Sequence, residues 1–363
     1  MINIINGGVT APLGFSAAGV HCGIRKNKDK LDLALIVSDV LCNAAAVYTQ
    51  NLVKGAPIVV TQKNIKNGKA KAVICNSGNA NTCNADGEEK ALKMCEIAAD
   101  IAGCEPCDII VASTGVIGQI LPIEPILNAK NALKKAMSKK SDSVANAILT
   151  TDTHKKEYAT EFILDGKTCT IGGIAKGSGM INPNMATMLS FLTTDTAISS
   201  EMLYCALKEV CDDTFNMISI DGDTSTNDMV SIMASGLAGN NEIVCKDENY
   251  NIFKAALLEV CTHLSMEIAK DGEGATKLLV CEVNGAKSPV DARLVAKSVI
   301  NSSLFKAAMF GCDANWGRIL CAVGYAGADA DVNKIGVKIS SKNSEIVVCE
   351  NGYGVDFCEE AAL

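Results

Sequence analysis

Short apolar runs alternate with amphipathic stretches along almost the whole chain, and that alternation restricts it to a fold mixing sheet and helix. Residues 33–38, 45–49, 72–75 and 109–112 are compact apolar runs that read as strands. Residues 88–102 place apolar side chains at three-to-four spacing and read as a helix, and 124–137 and 142–149 share that character. Residues 161–171 read as a hairpin turning at Asp165-Gly166, and 188–192 as a buried strand. Further on, 200–210, 249–269 and 289–300 read as helices, and 218–220, 277–283, 336–339 and 345–349 as strands. No internal repeat, low-complexity tract or long linker interrupts the series. Layers of sheet covered by helices satisfy such a pattern.

A hydrophobic fraction of 48% gives this fold an ample core. Aromatics are only 4%, so Ala, Val, Ile, Leu, Met and Cys must fill it. The net charge of −8 argues against a nucleic-acid binder, which carries a basic patch or stripe. An anionic small substrate stays open, because one buried Lys or Arg decides that locally. The 17 cysteines show no disulfide framework, and the N-terminus carries neither a basic stretch nor a signal-peptide core. Buried thiols in a reducing cytosol are expected. Cys104-Glu-Pro-Cys107 reads as a helix-to-strand turn rather than half of a zinc site. No apolar run reaches the roughly 18 residues of a membrane span.

The chemistry-bearing segment is Lys176-Gly-Ser-Gly-Met-Ile-Asn-Pro-Asn-Met-Ala-Thr187, which runs straight into the apolar stretch from Met188. Gly and Pro permit tight turns, so a β-hydroxyl stands where a constrained loop enters a rigid element. That arrangement suits self-cleavage. The Thr187 hydroxyl attacks the Ala186 carbonyl, the acyl group moves from nitrogen to oxygen, and water releases a new amino terminus. The freed amine then serves as base for the same hydroxyl. A plain loop before a strand is the competing reading. The rest of the inventory favours the nucleophile. With only three histidines, no Gly-x-Ser-x-Gly elbow and no His-Glu-x-x-His, a Ser-His-Asp hydrolase is hard to assemble. Ser113-Thr114-Gly115, after the apolar run 109–112, offers a hydroxyl and exposed backbone N–H groups, the parts of an oxyanion hole; an ordinary strand-to-loop turn offers the same pattern.

An ordered set of motifs resembles the bifunctional ornithine acetyltransferase family of arginine biosynthesis. It comprises Gly7-Gly-Val-Thr-Ala-Pro12, Asp32-Leu-Ala-Leu-Ile-Val-Ser-Asp39, Asn76-Ser-Gly-Asn-Ala-Asn81, Ser113-Thr-Gly-Val-Ile-Gly118 and Thr150-Thr-Asp-Thr153. After Lys176-Gly-Ser-Gly179 and Met185-Ala-Thr187 it continues with Asp221-Gly-Asp-Thr-Ser-Thr-Asn-Asp228, Gly272-Glu-Gly-Ala-Thr-Lys277 and Asp313-Ala-Asn-Trp-Gly-Arg318. The resemblance implies an α+β fold, a four-layer α/β/β/α sandwich like that of self-processing aminopeptidases and similar in outline to amino-terminal-nucleophile hydrolases. It implies cleavage between Ala186 and Thr187 into pieces 1–186 and 187–363 that fold as one body, two copies of each forming a heterotetramer in the cytoplasm.

The implied reaction moves an acetyl group from N-acetylornithine to glutamate through acetyl-Thr187, with acetyl-CoA open as a second donor and no cofactor or metal. Thr114 and Gly115 match the family's oxyanion hole, and Thr150, Lys176, Thr187 and Glu273 its substrate contacts. Read without the family, Thr150 is a helix-end cap, and Lys176 and Glu273 are solvated charges. The polar runs 76–81 and 221–228 are expected as structural turns near the site; the second lacks calcium-loop spacing. The family's chains run on past the match, supplying a substrate-binding Asn and a Ser or Thr with no counterpart here, and residues 356–363 look like the start of a helix. Two other classes stay open: a self-processing aminopeptidase or amidohydrolase, and a non-catalytic amino-acid-binding relic.

Overall fold

The computed structural model describes residues 2–182, 188–342 and 344–358. It divides into two compact units, one of residues 1–216 with 223–273, the other of 217–222 with 274–363.

In the first unit the strands are β1 (Asn3–Ile5), β2 (Phe15–Val20), β3 (Leu33–Tyr48), β4 (Lys69–Asn79), β5 (Ile109–Val116), β6 (Lys156–Leu164), β7 (Lys167–Lys176), β8 (Leu189–Thr194) and β9 (Met229–Ala234). Its helices are α1 (Ala56–Asn64), α2 (Gly87–Ala102), α3 (Ile123–Asn128), α4 (Lys130–Ala136), α5 (Asp142–Ala147), α6 (Ser200–Asp213) and α7 (Glu248–Lys270). The sheet runs β1-β6-β7-β8-β9-β3-β4-β5, with β2 also on β3.

Strand β3 organises this order. Its first half pairs with β2 and β4, its second half with β9. Between them the register against β4 shifts after Val37, as at a bulge, where a strand bends and changes partners. The sequence pattern splits this strand into 33–38 and 45–49, because Ser38-Asp39 breaks the apolar run; the backbone continues through.

The bend folds the sheet onto itself. Phe15, Ile36, Val73 and Ile110 from one half share a core with Ile174, Leu189, Phe191 and Met233 from the other. The outer face of the first half, with Leu33, Leu35, Ile74 and Val111, packs on Met94 and Ala98 of α2 and on Ile126 and Leu133. On the opposite side α6 packs on β3, and α7 on β6 and β7. Helix, sheet, sheet and helix thus form the four expected layers. With few aromatics, each buried Ile, Leu, Val or Met contributes roughly 1.5–3 kcal/mol.

Local chemistry sets the ends. Glu88 and Glu89 sit in the first turn of α2, where the helix dipole favours them, and Gly103 closes it at φ 66°. Cys104 and Cys107 follow in the turn to β5, both free thiols. The β6–β7 hairpin turns at Asp165 (φ 50°) and Gly166 (φ 72°), as a two-residue turn requires. The stretch 124–137 is two helices rather than one, α3 and α4. They meet at Ala129, whose N–H is shared between the carbonyls of Pro125 and Ile126.

The second unit holds α8 (Pro289–Asn301), α9 (Ser303–Phe310), α10 (Trp316–Gly324) and a sheet of β10 (Val337–Ser340), β11 (Glu345–Glu350) and β12 (Tyr353–Gly354). Val299, Phe305, Ala322 and Val323 form one core cluster, Val337, Val348 and Cys349 another. Asn315 caps α10, and Arg318 donates to the Leu304 carbonyl at 2.6 Å, so this motif is structural. Two expected strands do not form. At 218–220 the carbonyls of Ile218 and Ile220 accept from Lys297 and Lys306 instead of a ladder. At 277–283 no strand pairs among the described residues, and Leu278 and Val280 are exposed. The sequence pattern also misses β1, β2, β9, β12, α1, α9 and α10. Of residues 356–363, those described (356–358) are not helical.

Candidate active site

The candidate residues of the first unit converge at the ends of β5 and β7. Parallel β4 and β5 run side by side to their last residues, with Ser77 opposite Thr114 and Gly78 opposite Gly115. Gly115 has φ 134°, and a Cβ there would lie 2.3 Å from the Gly78 carbonyl carbon, so the strand ends can close only on glycine. Thr114 is buried, and its Oγ1 accepts from the Lys176 Nζ at 3.4 Å. Both line a cavity of about 30 Å³ together with Gly179, Met188, Asn227 and Asp228. That volume suits one water or a small polar group.

Lys176 is buried, contrary to the solvated reading. Burial pushes its ammonium below the ordinary lysine range, against the opposing pull of Asp152 and Asp228. These two acids differ. Burial would raise Asp152, but Lys176, Lys156 and the Thr150 N–H hold it at about 2. Asp228 is pushed well above its ordinary range by burial, and its Oδ2 has no hydrogen-bond partner among the described residues.

Beyond Lys176 the backbone turns away from β7. Residue 189 on β8 pairs directly with residue 176 at the end of β7. The Gly177 N–H donates to Asp152 Oδ1 at 2.7 Å, and the Ser178 hydroxyl to the Asp271 carbonyl at 2.8 Å. Thr224 donates to the Asn182 carbonyl at 2.9 Å. Ala186 and Thr187, the expected cleavage pair and nucleophile, lie outside the described residues.

Thr150 is half-buried, and its N–H donates to Asp152 Oδ2 at 2.9 Å. Glu273 is exposed, but its N–H is tied to the Ser178 carbonyl at 2.9 Å. Its carboxylate lies so close to Gly179 that a Cβ there would come within 2.6 Å of Oε1. The second glycine of Lys176-Gly-Ser-Gly179 therefore makes room for this acid. The run 221–228 is a turn near the site, as expected, whereas residues 76–79 of the other run are the end of strand β4 and only 80–81 leave it. Asn227 Nδ2 donates to the Ala80 and Ser113 carbonyls at 2.6 and 3.0 Å, while Thr82 donates to its Oδ1 at 2.6 Å. Ser113 in turn donates to Asn76 Oδ1 at 2.6 Å. One amide thus joins 76–81, 113–118 and 221–228.

The arrangement brings a buried cation, a hydroxyl, a glycine peptide and a carboxylate to one end of the sheet. It can hold an amino-acid carboxylate at Lys176 and Thr150, an amine at Glu273, and an oxyanion at Thr114 and Gly115. Sequence reasoning singled out none of Arg25, Asp152, Lys156, Asn227, Asp228 or Asp271. Asp152, Asn227 and Asp228 stand inside quoted motifs and Asp271 directly precedes one, so proximity to Thr150, Thr226 and Glu273 was the available signal. Arg25, whose Nη2 donates to the Leu149 carbonyl beside Thr150, and Lys156, one more lysine in a strand, carried none.

Comparison with known proteins places these residues in context. The model of the ArgJ family matches residues 16–363. Arginine biosynthesis bifunctional protein ArgJ 1 of Clostridium acetobutylicum is 49% identical over 353 residues, covering 96% of this chain and 86% of its own. The ArgJ protein of Caldanaerobacter subterraneus subsp. tengcongensis is 47% identical over 363 residues, covering 99% and 90%. Among solved structures, ArgJ from Bacillus halodurans is similar at 41% identity and a TM-score of 0.47, over 51% of this chain and all of that one. The ornithine acetyltransferase of Mycobacterium tuberculosis complexed with ornithine is similar at 36% identity and a TM-score of 0.47, with the same coverage.

Proposed function

The chain belongs to the ArgJ family, and from that premise we propose how its residues carry the reaction. It is an acetyltransferase of arginine biosynthesis, with the ornithine acetyltransferase and glutamate N-acetyltransferase function of its relatives. The observation that carries the reading is the contact of buried Lys176 with Thr114 at the glycine-only end of β5.

In the first half-reaction Thr187 Oγ attacks the acetyl carbonyl of N-acetylornithine. The hydroxyl proton passes to the Thr187 α-amine, the oxyanion is held at Thr114 and Gly115, and the C–N bond breaks as that proton reaches the departing ornithine amine. The α-amine of glutamate then attacks acetyl-Thr187, and the same steps run in reverse, as two-step transfer through a covalent intermediate requires. Ornithine and glutamate share an α-amino-acid end. Lys176 and Thr150 meet its carboxylate, and Glu273 its amine. Acetyl-CoA is a second donor to the same hydroxyl. The free α-amine arises by self-cleavage between Ala186 and Thr187, and pieces 1–186 and 187–363 assemble as a heterotetramer in the cytosol. Support comes from the adjacent pairing of β7 and β8, one strand on each side of the cut, within one sheet.

Intact mass of the protein with and without N-acetylornithine tests this. Two pieces split before residue 187 and one acetyl group on the 187–363 piece are expected, followed by acetylglutamate when glutamate is added. Acetate as the sole product would make the chain a hydrolase. An unmodified, uncut chain would remove the acyl-enzyme altogether.

A further inference from the structure

Asp152, Lys156 and Asp271 form an ion network sealed in the protein, with side chains 0%, 0% and 3% exposed. Lys156 Nζ bridges the acids, donating to Asp152 Oδ1 at 2.8 Å and Asp271 Oδ2 at 2.6 Å. Desolvating ions costs several kcal/mol each, so a buried network is a poor device for stability alone. Its other hydrogen bonds run to the site. Asp152 Oδ2 accepts the N–H and, at 3.4 Å, the hydroxyl of Thr150. Asp152 Oδ1 accepts the Gly177 N–H, fixing the backbone next to Lys176. Asp271 accepts the N–H and hydroxyl of Thr153, and its carbonyl takes the Ser178 hydroxyl, whose own carbonyl holds the Glu273 N–H.

We propose that Asp152, anchored by Lys156 and Asp271, is a positioning residue that sets the placement of Thr150 and Lys176 together and the charge of Lys176. The inference rests on the reading of these two as the carboxylate-binding pair. One carboxylate spans both because its two oxygens serve opposite sides. Oδ2 faces the 150–153 turn and Oδ1 the end of β7. An amide at position 152 could accept from only one of them. The groups acting on Lys176 are Asp152, Asp228 and Cys75, which favour its charged form, and Lys156, which opposes it. Asp152 is the largest of the favourable ones and the one fixed in the ionised state.

The experiment compares wild type, Asp152→Asn, Thr150→Ala and the double variant in the full chain. KM and kcat for N-acetylornithine and glutamate are measured against pH, ornithine binding by calorimetry, and the Lys176 titration by NMR of labelled lysine. Asp152→Asn is expected to raise both KM values and the ornithine dissociation constant about tenfold or more, as loss of a charge-assisted contact does, with a smaller change in kcat. Lys176 should lose its proton at lower pH, since a favouring charge is gone. The double variant should bind hardly worse than Asp152→Asn alone, because the two changes break one device. An unmoved Lys176 titration, or penalties that multiply, would overturn the inference. If Asp152→Asn does not fold, Asp152→Glu replaces it. That variant keeps the charge but displaces Thr150 and Gly177, so KM should rise with Lys176 titrating as in wild type; an unchanged KM overturns the proposal. A wild-type chain that makes no acetylglutamate refutes the reaction reading, while ornithine binding and the Lys176 titration still decide the role of Asp152.

Discussion

Two polar networks flank the contact between Thr114 and Lys176, and they are made of opposite materials. On one side Asn76, Thr82, Ser113 and Asn227 are buried and joined by neutral hydrogen bonds, with buried Asn81 donating to the Gly87 carbonyl. On the other, Asp152, Lys156 and Asp271 are buried as ions. Both fix backbone turns, so turn geometry alone does not call for charge. The neutral side holds the glycine-only strand ends, the place of the proposed oxyanion site. The ionic side stands behind buried Lys176, whose charged form burial disfavours and Asp152 favours. Neutral amides cannot lend it that. The comparison therefore separates shape from charge, and each side should fail in its own way.

The largest effect tests whether the two sides serve one nucleophile. Thr187→Ala should leave one uncut chain on a denaturing gel and abolish transfer, because the proposed acyl shift and acyl-enzyme both need the Thr187 hydroxyl. Splitting of that variant before residue 187 would refute the scheme. Lys156→Met comes next. It strands two buried carboxylates, and breaking a buried pair costs about 3–5 kcal/mol. The loss should depend on pH. Asp152, held near 2 in the folded protein against an ordinary 3.8, contributes stability above about pH 4 that is lost as pH falls toward 2. That shift is worth on the order of 2 kcal/mol in wild type. Denaturant melts at several pH values should show the acid-side slope flattened in Lys156→Met; a parallel wild-type slope would mean Lys156 is not what holds Asp152 down.

Thr114→Ala follows, with kcat reduced by about 10²–10³ and KM little changed, the signature of a lost oxyanion donor. A change confined to KM would make Thr114 a binding residue instead. Asn227→Ala probes the neutral side directly. It removes donors to the Ala80 and Ser113 carbonyls and leaves buried groups unsatisfied, at about 1–3 kcal/mol each. This loss should be flat in pH, since none of the partners titrates. A destabilisation by Asn227→Ala that varies with pH like that of Lys156→Met would erase the distinction between the networks.

The neutral network was partly legible in the sequence, the ionic one hardly at all. Asn76-Ser-Gly-Asn-Ala-Asn81 and Thr226-Asn-Asp228 announce themselves as turn formers, because Asn, Ser, Thr and Gly at high density mean local backbone bonding. Strands such as 109–112 and helices such as 249–269 were legible for a like reason, through periodicity. Lys156 offers no such sign, since its meaning comes from two acids, one of them 115 residues away. Lys176 read as a solvated charge because nothing local says that β8 and β9 will enclose it. The continuous β3 was hidden by Ser38-Asp39, where tertiary pairing overrode a polar break. The missing strands at 218–220 and 277–283 show the converse, apolar residues with no partner to pair with.

The smallest expected effect concerns Asp228, an acid that stands between the two networks. It follows Asn227 of the neutral side and lines the same cavity as Lys176. Burial drives its acid range well up, Ser225 and Lys176 opposing, and its Oδ2 has no partner among the described residues. A carboxyl whose folded range lies above its ordinary 3.8 favours the protonated fold. Wild-type stability is then full below about pH 4 and falls as pH rises toward the folded value. Asn cannot ionise, has nearly the same shape and keeps a neutral group in the cavity. Asp228→Asn should therefore match wild type near pH 4 and become the more stable of the two as pH rises, with kcat within a few-fold. Paired thermal melts at pH 4 and pH 8 check this. If the variant instead loses stability at pH 8, Asp228 is ionised beside Lys176, and charge reaches the site from both sides rather than from Asp152 alone. The Lys176 titration in this variant then fixes how the charge is divided, because an ionised Asp228 would lower that titration when removed and a protonated one would leave it in place.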